Sequence, residues 1–228
     1  MDIDSIDLKR EQQASLERPR YPYSAAARFF FAVMDLVAGK KTTLPKTKLI
    51  EILARIPYQA WELRQYWRMA WIYGDSRKIA DSEEVMHWSR EAEDNELWHL
   101  KTIDYKMRRD HIRDPWYLSA PVRFFIILFY IAFTRTVATF HIRRAFLFNA
   151  EFEDHAEHTY ARFVQEHPEW EDQAVEDPSI ITGRGRIGNW ADVFRRIGLD
   201  EREHMNESFI HCGMEDQVVP YASEEGNA

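Results

Sequence analysis

Cysteine, glycine and proline are scarce in this chain. Among 228 residues there is one cysteine, Cys212, which excludes an internal disulfide framework and any CxxC redox or zinc motif. Eight glycines and nine prolines fall well short of the roughly 12% these residues supply in average proteins. So few turn-formers argue against a many-stranded β architecture and for long helices. A basic surplus is also missing: 30 Lys and Arg face 38 Asp and Glu, a formal net charge of −8, which disfavours nucleic acid as the main partner. Residues 1–21 mix acids and bases without an apolar run, unlike a secretory signal or an acid-poor transit peptide.

Apolar residues are plentiful, at 45% with 14% aromatic, enough for a real core rather than a disordered chain. Two stretches stand out, residues 24–39 and residues 124–134, the second bounded by Arg123 and Arg135. Neither uninterrupted run reaches the roughly 20 residues of a spanning helix, and reading on through Arg135 places an arginine mid-span. Seven arginines and two aspartates lie between Arg108 and Arg144. An apolar helix rimmed by arginine and aromatics reads as lying in the membrane interface; the plainer alternative is a core helix of a soluble bundle.

Spacing and punctuation predict six helices in a nearly all-α chain. They cover residues 24–39, 45–73, 81–109, 115–146, 147–165 and 189–211. Asp81 with Glu84 has the form of a capping box, Asn189 suits an N-cap, and the polar stretch 169–188 reads as the main loop. The domain organisation is an N-terminal arm at 1–23, a helical domain at 24–213 and a loose tail at 214–228.

Three places carry the pair Glu-x-x-His, which puts both side chains on one helical face within reach of one ion: Glu84/His87, Glu96/His99 and Glu201/His204. Glu51 sits in the apolar setting LIEILA, where a lone buried carboxylate is costly unless paired, protonated or metal-bound. A di-iron carboxylate bundle takes one Glu from each of two helices and Glu-x-x-His from each of two others. Glu51 followed by Glu96/His99 supplies one half, and Glu153 followed by Glu201/His204 the other. The separations, 102 from Glu51 to Glu153 and 105 from Glu96 to Glu201, make the order an internal echo. This donor set favours non-haem iron or manganese over a closed zinc site. Glu84/His87 lies twelve residues before Glu96/His99, about 18 Å along the same helix, and reads as surface.

Four segments resemble the motifs of the alternative oxidases, particularly the plastid terminal oxidase branch. IEILARIPY (50–58) is similar to LETIARVPY, DNELWHL (94–100) to NERMHL, FEDHAEHTY (152–160) to LEEEAxxxY, and NWADVFRRIGLDEREHM (189–205) to NLYDVFxxIRDDEAEH. They occur in family order across residues 46–205. The resemblance implies a ferritin-like four-helix bundle with one or two further helices, monotopic in a membrane, homodimeric, and carrying two iron ions per subunit.

By the same resemblance Glu51, Glu96, Glu153 and Glu201 are iron carboxylates. His99 and His204 ligate iron or stand behind its ligands, Asn95 and Asp200 orient the site by hydrogen bonds, and Tyr160 is redox-active. Ile50, Phe152, Ala156 and Thr159 match positions about the quinol pocket. The implied activity is oxidation of quinol by O2, giving water without proton pumping, on the bacterial cytoplasmic face or an organellar inner membrane. Three departures mark the chain: six extra residues between Glu51 and Glu96, Lys46 where an arginine is usual, and Asp154-His155 in place of Glu-Glu. Competing readings are a quinone-modifying di-iron monooxygenase similar to demethoxyubiquinone hydroxylase, a non-enzymatic ferritin-like iron-binding bundle, and a helical membrane scaffold.

Overall fold

The computed structural model describes residues 3–222 and is all-helical among them. Eight α-helices follow in chain order: α1 (Leu8–Glu17), α2 (Ala25–Ala38), α3 (Leu44–Ile72), α4 (Ser76–Arg109), α5 (Ala120–Phe140), α6 (Ile142–Gln165), α7 (Pro178–Ile181) and α8 (Trp190–Cys212). The chain gathers into two compact units, Phe31–Phe146, and Met1–Phe30 with Leu147–Ala228.

The central unit is built on an antiparallel hairpin of α3 and α4. Thr43 caps α3, accepting from the Lys46 N–H, with Pro45 in the first turn, where its missing N–H costs nothing. The hairpin turns within Tyr73–Asp75, and Asp75 caps α4 by accepting from the Lys78 N–H. Cross-links fix the register: Arg55 to Glu93 at 2.7 Å, Arg90 to Glu62 at 2.5 Å and Arg68 to Ser82 at 3.1 Å. Lys48 closes the open end, reaching both Asp104 and Asp114 at 2.8 Å. Between the arms Trp61 stacks on Trp88 with centroids 5.0 Å apart and meets Phe146 edge-on at 4.8 Å. The expected start of α4 at Asp81 is therefore corrected to Ser76.

A second correction concerns the apolar region. Instead of one helix from 115 to 146, Trp116–Leu118 form a 3₁₀ turn, α5 runs from Ala120 to Phe140, and α6 begins at Ile142. His141, at φ −145° and ψ 64°, breaks the two apart. α5 packs on α3, yet most of it is exposed, including Phe124, Phe125, Leu128 and Phe129. Its 21 residues are long and apolar enough to cross a membrane, although the sequence divides the run at Arg123 and Arg135.

The other unit joins α1 to α8 and to the 147–165 stretch of α6. Residues 8–17, read above as part of an arm, form a helix capped by Asp7 and seated by buried charge. Arg202 of α8 bonds Glu157 at 2.8 Å and Glu11 at 2.5 Å, and it donates to Ser15 Oγ and the Glu11 carbonyl. Arg18 bridges Glu157 at 2.5 Å and Asp154 at 2.7 Å. The residues expected as a long loop include a 3₁₀ turn at Pro168–Asp172, whose Trp170 stacks on Phe194 at 4.5 Å, and the short α7. Asn189 caps α8 by accepting from the Asp192 N–H, as expected. Gly213 ends it at φ +78°, a left-handed conformation that glycine adopts without a Cβ penalty. Cys212 is buried, its thiol donating to the Phe209 carbonyl at 3.3 Å. Of the expected tail, residues 223–228 lie outside the described residues, while Glu215–Gln217 form a 3₁₀ turn.

Candidate metal centre

In the central unit α3 carries Glu51 and α4 carries Glu96 and His99. All three are buried with 0% exposure, and each offers a donor atom within 4.8 Å of the others. His99 Nδ1 lies 3.3 Å from Glu51 Oε2 and 3.3 Å from Glu96 Oε2. The antiparallel register that pairs Arg55 with Glu93 brings Glu51 level with the Glu96/His99 turn. Two buried carboxylates and one imidazole converging in this way make a donor set that could hold a metal ion.

The second unit holds an analogous triad. Glu153 on α6 and Glu201 and His204 on α8 are buried, with one donor atom from each within 4.8 Å of the others. His204 Nδ1 stands 3.5 Å from Glu201 Oε2. Asn149, one turn before Glu153, donates to Glu153 Oε1 at 3.0 Å and to Ser208 Oγ at 3.1 Å, tying α6 to α8 beside the triad. Sequence reasoning passed over Asn149, although its i−4 spacing from Glu153 was a usable signal. Each triad thus groups buried carboxylate oxygens and an imidazole nitrogen that could hold a metal ion.

The remaining site residues fall as follows. Asp200 is buried and accepts from the Arg196 guanidinium one turn earlier, Nε at 2.7 Å, and Asn95 is half-buried on α4. Tyr160 is buried and stacks on Phe194 at 6.2 Å. Gly198 makes room for it, because a Cβ there would meet Tyr160 Cβ at 3.2 Å. Thr159 donates to the His155 carbonyl at 2.7 Å. Phe152 and Ala156 are buried on α6, Phe152 against the edge of Phe30, and Ile50 is buried on α3. Lys46 is fixed by Asp35 at 2.6 Å and by the Gly39 carbonyl at 2.8 Å. His87, of the third Glu-x-x-His, is exposed and paired with Glu91 at 3.2 Å, in keeping with a surface position.

A third acidic cluster, Asp154, Glu157 and His158, is not metal-like in its partners. Arg18 and Arg202 already neutralise the two acids, and Tyr23 donates to Asp154 at 2.6 Å. Burial, then the bond to Asp154, raises the Tyr23 hydroxyl above the usual phenol range. Compared with known proteins, the chain matches no family model and no curated protein.

Proposed function

We propose that this protein is a membrane-interfacial quinol oxidase that reduces O2 to water with electrons from a quinol through non-haem di-iron carboxylate chemistry, without proton pumping. The observation that carries this reading is the paired Glu/Glu/His set. Two triads of the same composition and chain order, each buried on a pair of helices, repeat at nearly one sequence interval. The four motifs shared with the alternative oxidases support it, as does the exposed apolar face of α5, which suits access to a lipid-soluble reductant.

The ligands proposed for the metals are Glu51, Glu96 and His99, with Glu153, Glu201 and His204. The iron pair, when bound, supplies the multi-electron redox capacity needed to activate dioxygen. The chain's own part is to hold these donors rigidly. Asn149 orients Glu153, the α3–α4 register sets Glu51 against His99, and the packing of Phe194 and Gly198 positions Tyr160, the proposed redox-active side chain. Ile50, Phe152, Ala156 and Thr159 are the proposed quinol contacts, and a homodimer is the proposed assembly. Two quinols are oxidised per O2, giving two quinones and two waters.

Oxygen uptake by the purified, iron-loaded chain in detergent, given a short-chain quinol, tests the proposal. Uptake insensitive to cyanide, with two quinols consumed per O2, is expected, and Glu153→Ala should abolish it. Hydroxylated product and a demand for an external reductant would identify the monooxygenase instead. Bound iron without turnover would leave an iron-binding bundle, and failure to bind iron would leave a scaffold.

A further inference from the structure

A cavity of about 510 Å³ opens in the central unit between α3, α4 and α5, within the size range of small-molecule sites. Its floor is aliphatic: Ile52 and Ile56 from α3, Leu100 from α4, and Ile127 and Ile131 from α5. Its charged lining is four cations to one acid. Two of the cations are already neutralised, Lys48 by Asp104 and Asp114 and Arg55 by Glu93. The other two, Lys101 and Arg123, have no acidic partner among the described residues. Arg123, Ile127 and Ile131 recur every fourth residue and so share one stripe of α5, while the neighbouring Phe124, Phe125, Leu128 and Phe129 are exposed. The helix thus offers a lined cavity on one side and an apolar surface on the other.

We propose that this cavity binds an anionic membrane lipid, its phosphate held by Lys101 and Arg123 and the start of its acyl chain laid along the isoleucine floor. Charge complementarity selects the head, because two unpaired cations beside apolar walls leave a positive surplus that a phosphate diester neutralises. The aliphatic floor selects a lipid over free phosphate, and the exposed face of α5 brings the cavity's rim to a bilayer surface. The site uses no residue of either Glu/Glu/His triad, so it stands or falls separately from the oxidase reading.

Native mass spectrometry of the full chain released from detergent micelles tests it, with phosphatidylglycerol, phosphatidylcholine and inorganic phosphate as probes. One phosphatidylglycerol retained per chain, with phosphatidylcholine and phosphate retained far less, is the expected result. Lys101→Gln and Arg123→Gln should each weaken retention about tenfold, a loss of one charge-assisted contact, whereas Lys101→Arg should preserve it. Ile127→Trp, which fills the cavity, should abolish retention, and Phe125→Ser on the outer face should leave it intact. Helical circular dichroism and a cooperative thermal melt establish that each variant is folded. Equal retention of phosphatidylcholine, equal retention of free phosphate, or indifference to both glutamine substitutions would overturn the proposal. So would a dimer in which a second copy covers Lys101 and Arg123.

Discussion

Replacing Arg202 by methionine is the sharpest test of how the first helix is held. Arg202 is 2% exposed, and its guanidinium serves Glu157, Glu11, Ser15 and a backbone carbonyl at once. Methionine keeps most of the volume and removes every donor, leaving Glu11 buried without its arginine while Glu157 retains Arg18. Breaking a buried ion pair from one side costs about 3–5 kcal/mol. Because one of the two acids keeps a cation, the lower end, about 3 kcal/mol, is the expected loss. For a chain of this length each kcal/mol lowers Tm by roughly 2–4 °C, so a fall of roughly 6–12 °C should appear in a thermal melt. Amide exchange should accelerate most across Leu8–Glu17, the helix that the network seats. Adding Glu11→Gln to Arg202→Met should recover part of the loss, because the stranded charge is then gone. A Tm within 2 °C of the parent, or exchange unchanged in α1, would refute the reasoning.

Other expectations follow from the same structure. Trp61→Ala should cost about 3–5 kcal/mol, read in urea melts, because Trp61 is buried among Tyr58, Trp88 and Phe146. Glu171 is held at a pKa of about 2 by its bond to Arg195, with Lys9 adding to the effect. Its carboxylate therefore stabilises the fold above its ordinary value of 4.5 and loses that contribution as pH falls toward 2; Glu171→Gln should flatten acid unfolding in that window. On the proposed iron reading, Asn149→Ala should lower iron affinity about 10–100-fold by removing its hydrogen bond to Glu153, measured by chelator competition, with Tm changed far less than for Arg202→Met. Gly213→Ala should cost about 1–2 kcal/mol, since the residue sits at φ +78°.

Much of the helical outline was legible in the sequence, and the reasons for the misses are local. Gly39 and Asn189 gave true ends because left-handed glycine and a side-chain cap work through the immediate backbone. Asp81 misled because Asp75, capping from the turn, is an equally good acceptor placed earlier. The break at His141 left no mark, since no glycine or proline flanks it and apolar residues continue on both sides. α1 was missed because it is a short polar helix whose partners lie beyond residue 150, so its stability is tertiary rather than intrinsic. Four of the six candidate ligands, Glu96/His99 and Glu201/His204, were legible because Glu-x-x-His is a property of one helix turn, whereas Glu51 showed through its apolar setting and Glu153 through the repeated chain order. The lysine and arginine rim of the cavity was not, because Lys101 and Arg123 belong to different helices and only packing brings them to one opening.

The division of the chain has a consequence for biosynthesis. Phe31–Phe146 is one continuous stretch, whereas the other unit draws on both ends of the sequence. Translation proceeds at about 5–20 residues per second, so Glu11 and Arg18 emerge on the order of ten seconds or more before Arg202 exists to receive them. α1 therefore cannot be seated until partners made well over a hundred residues later have emerged.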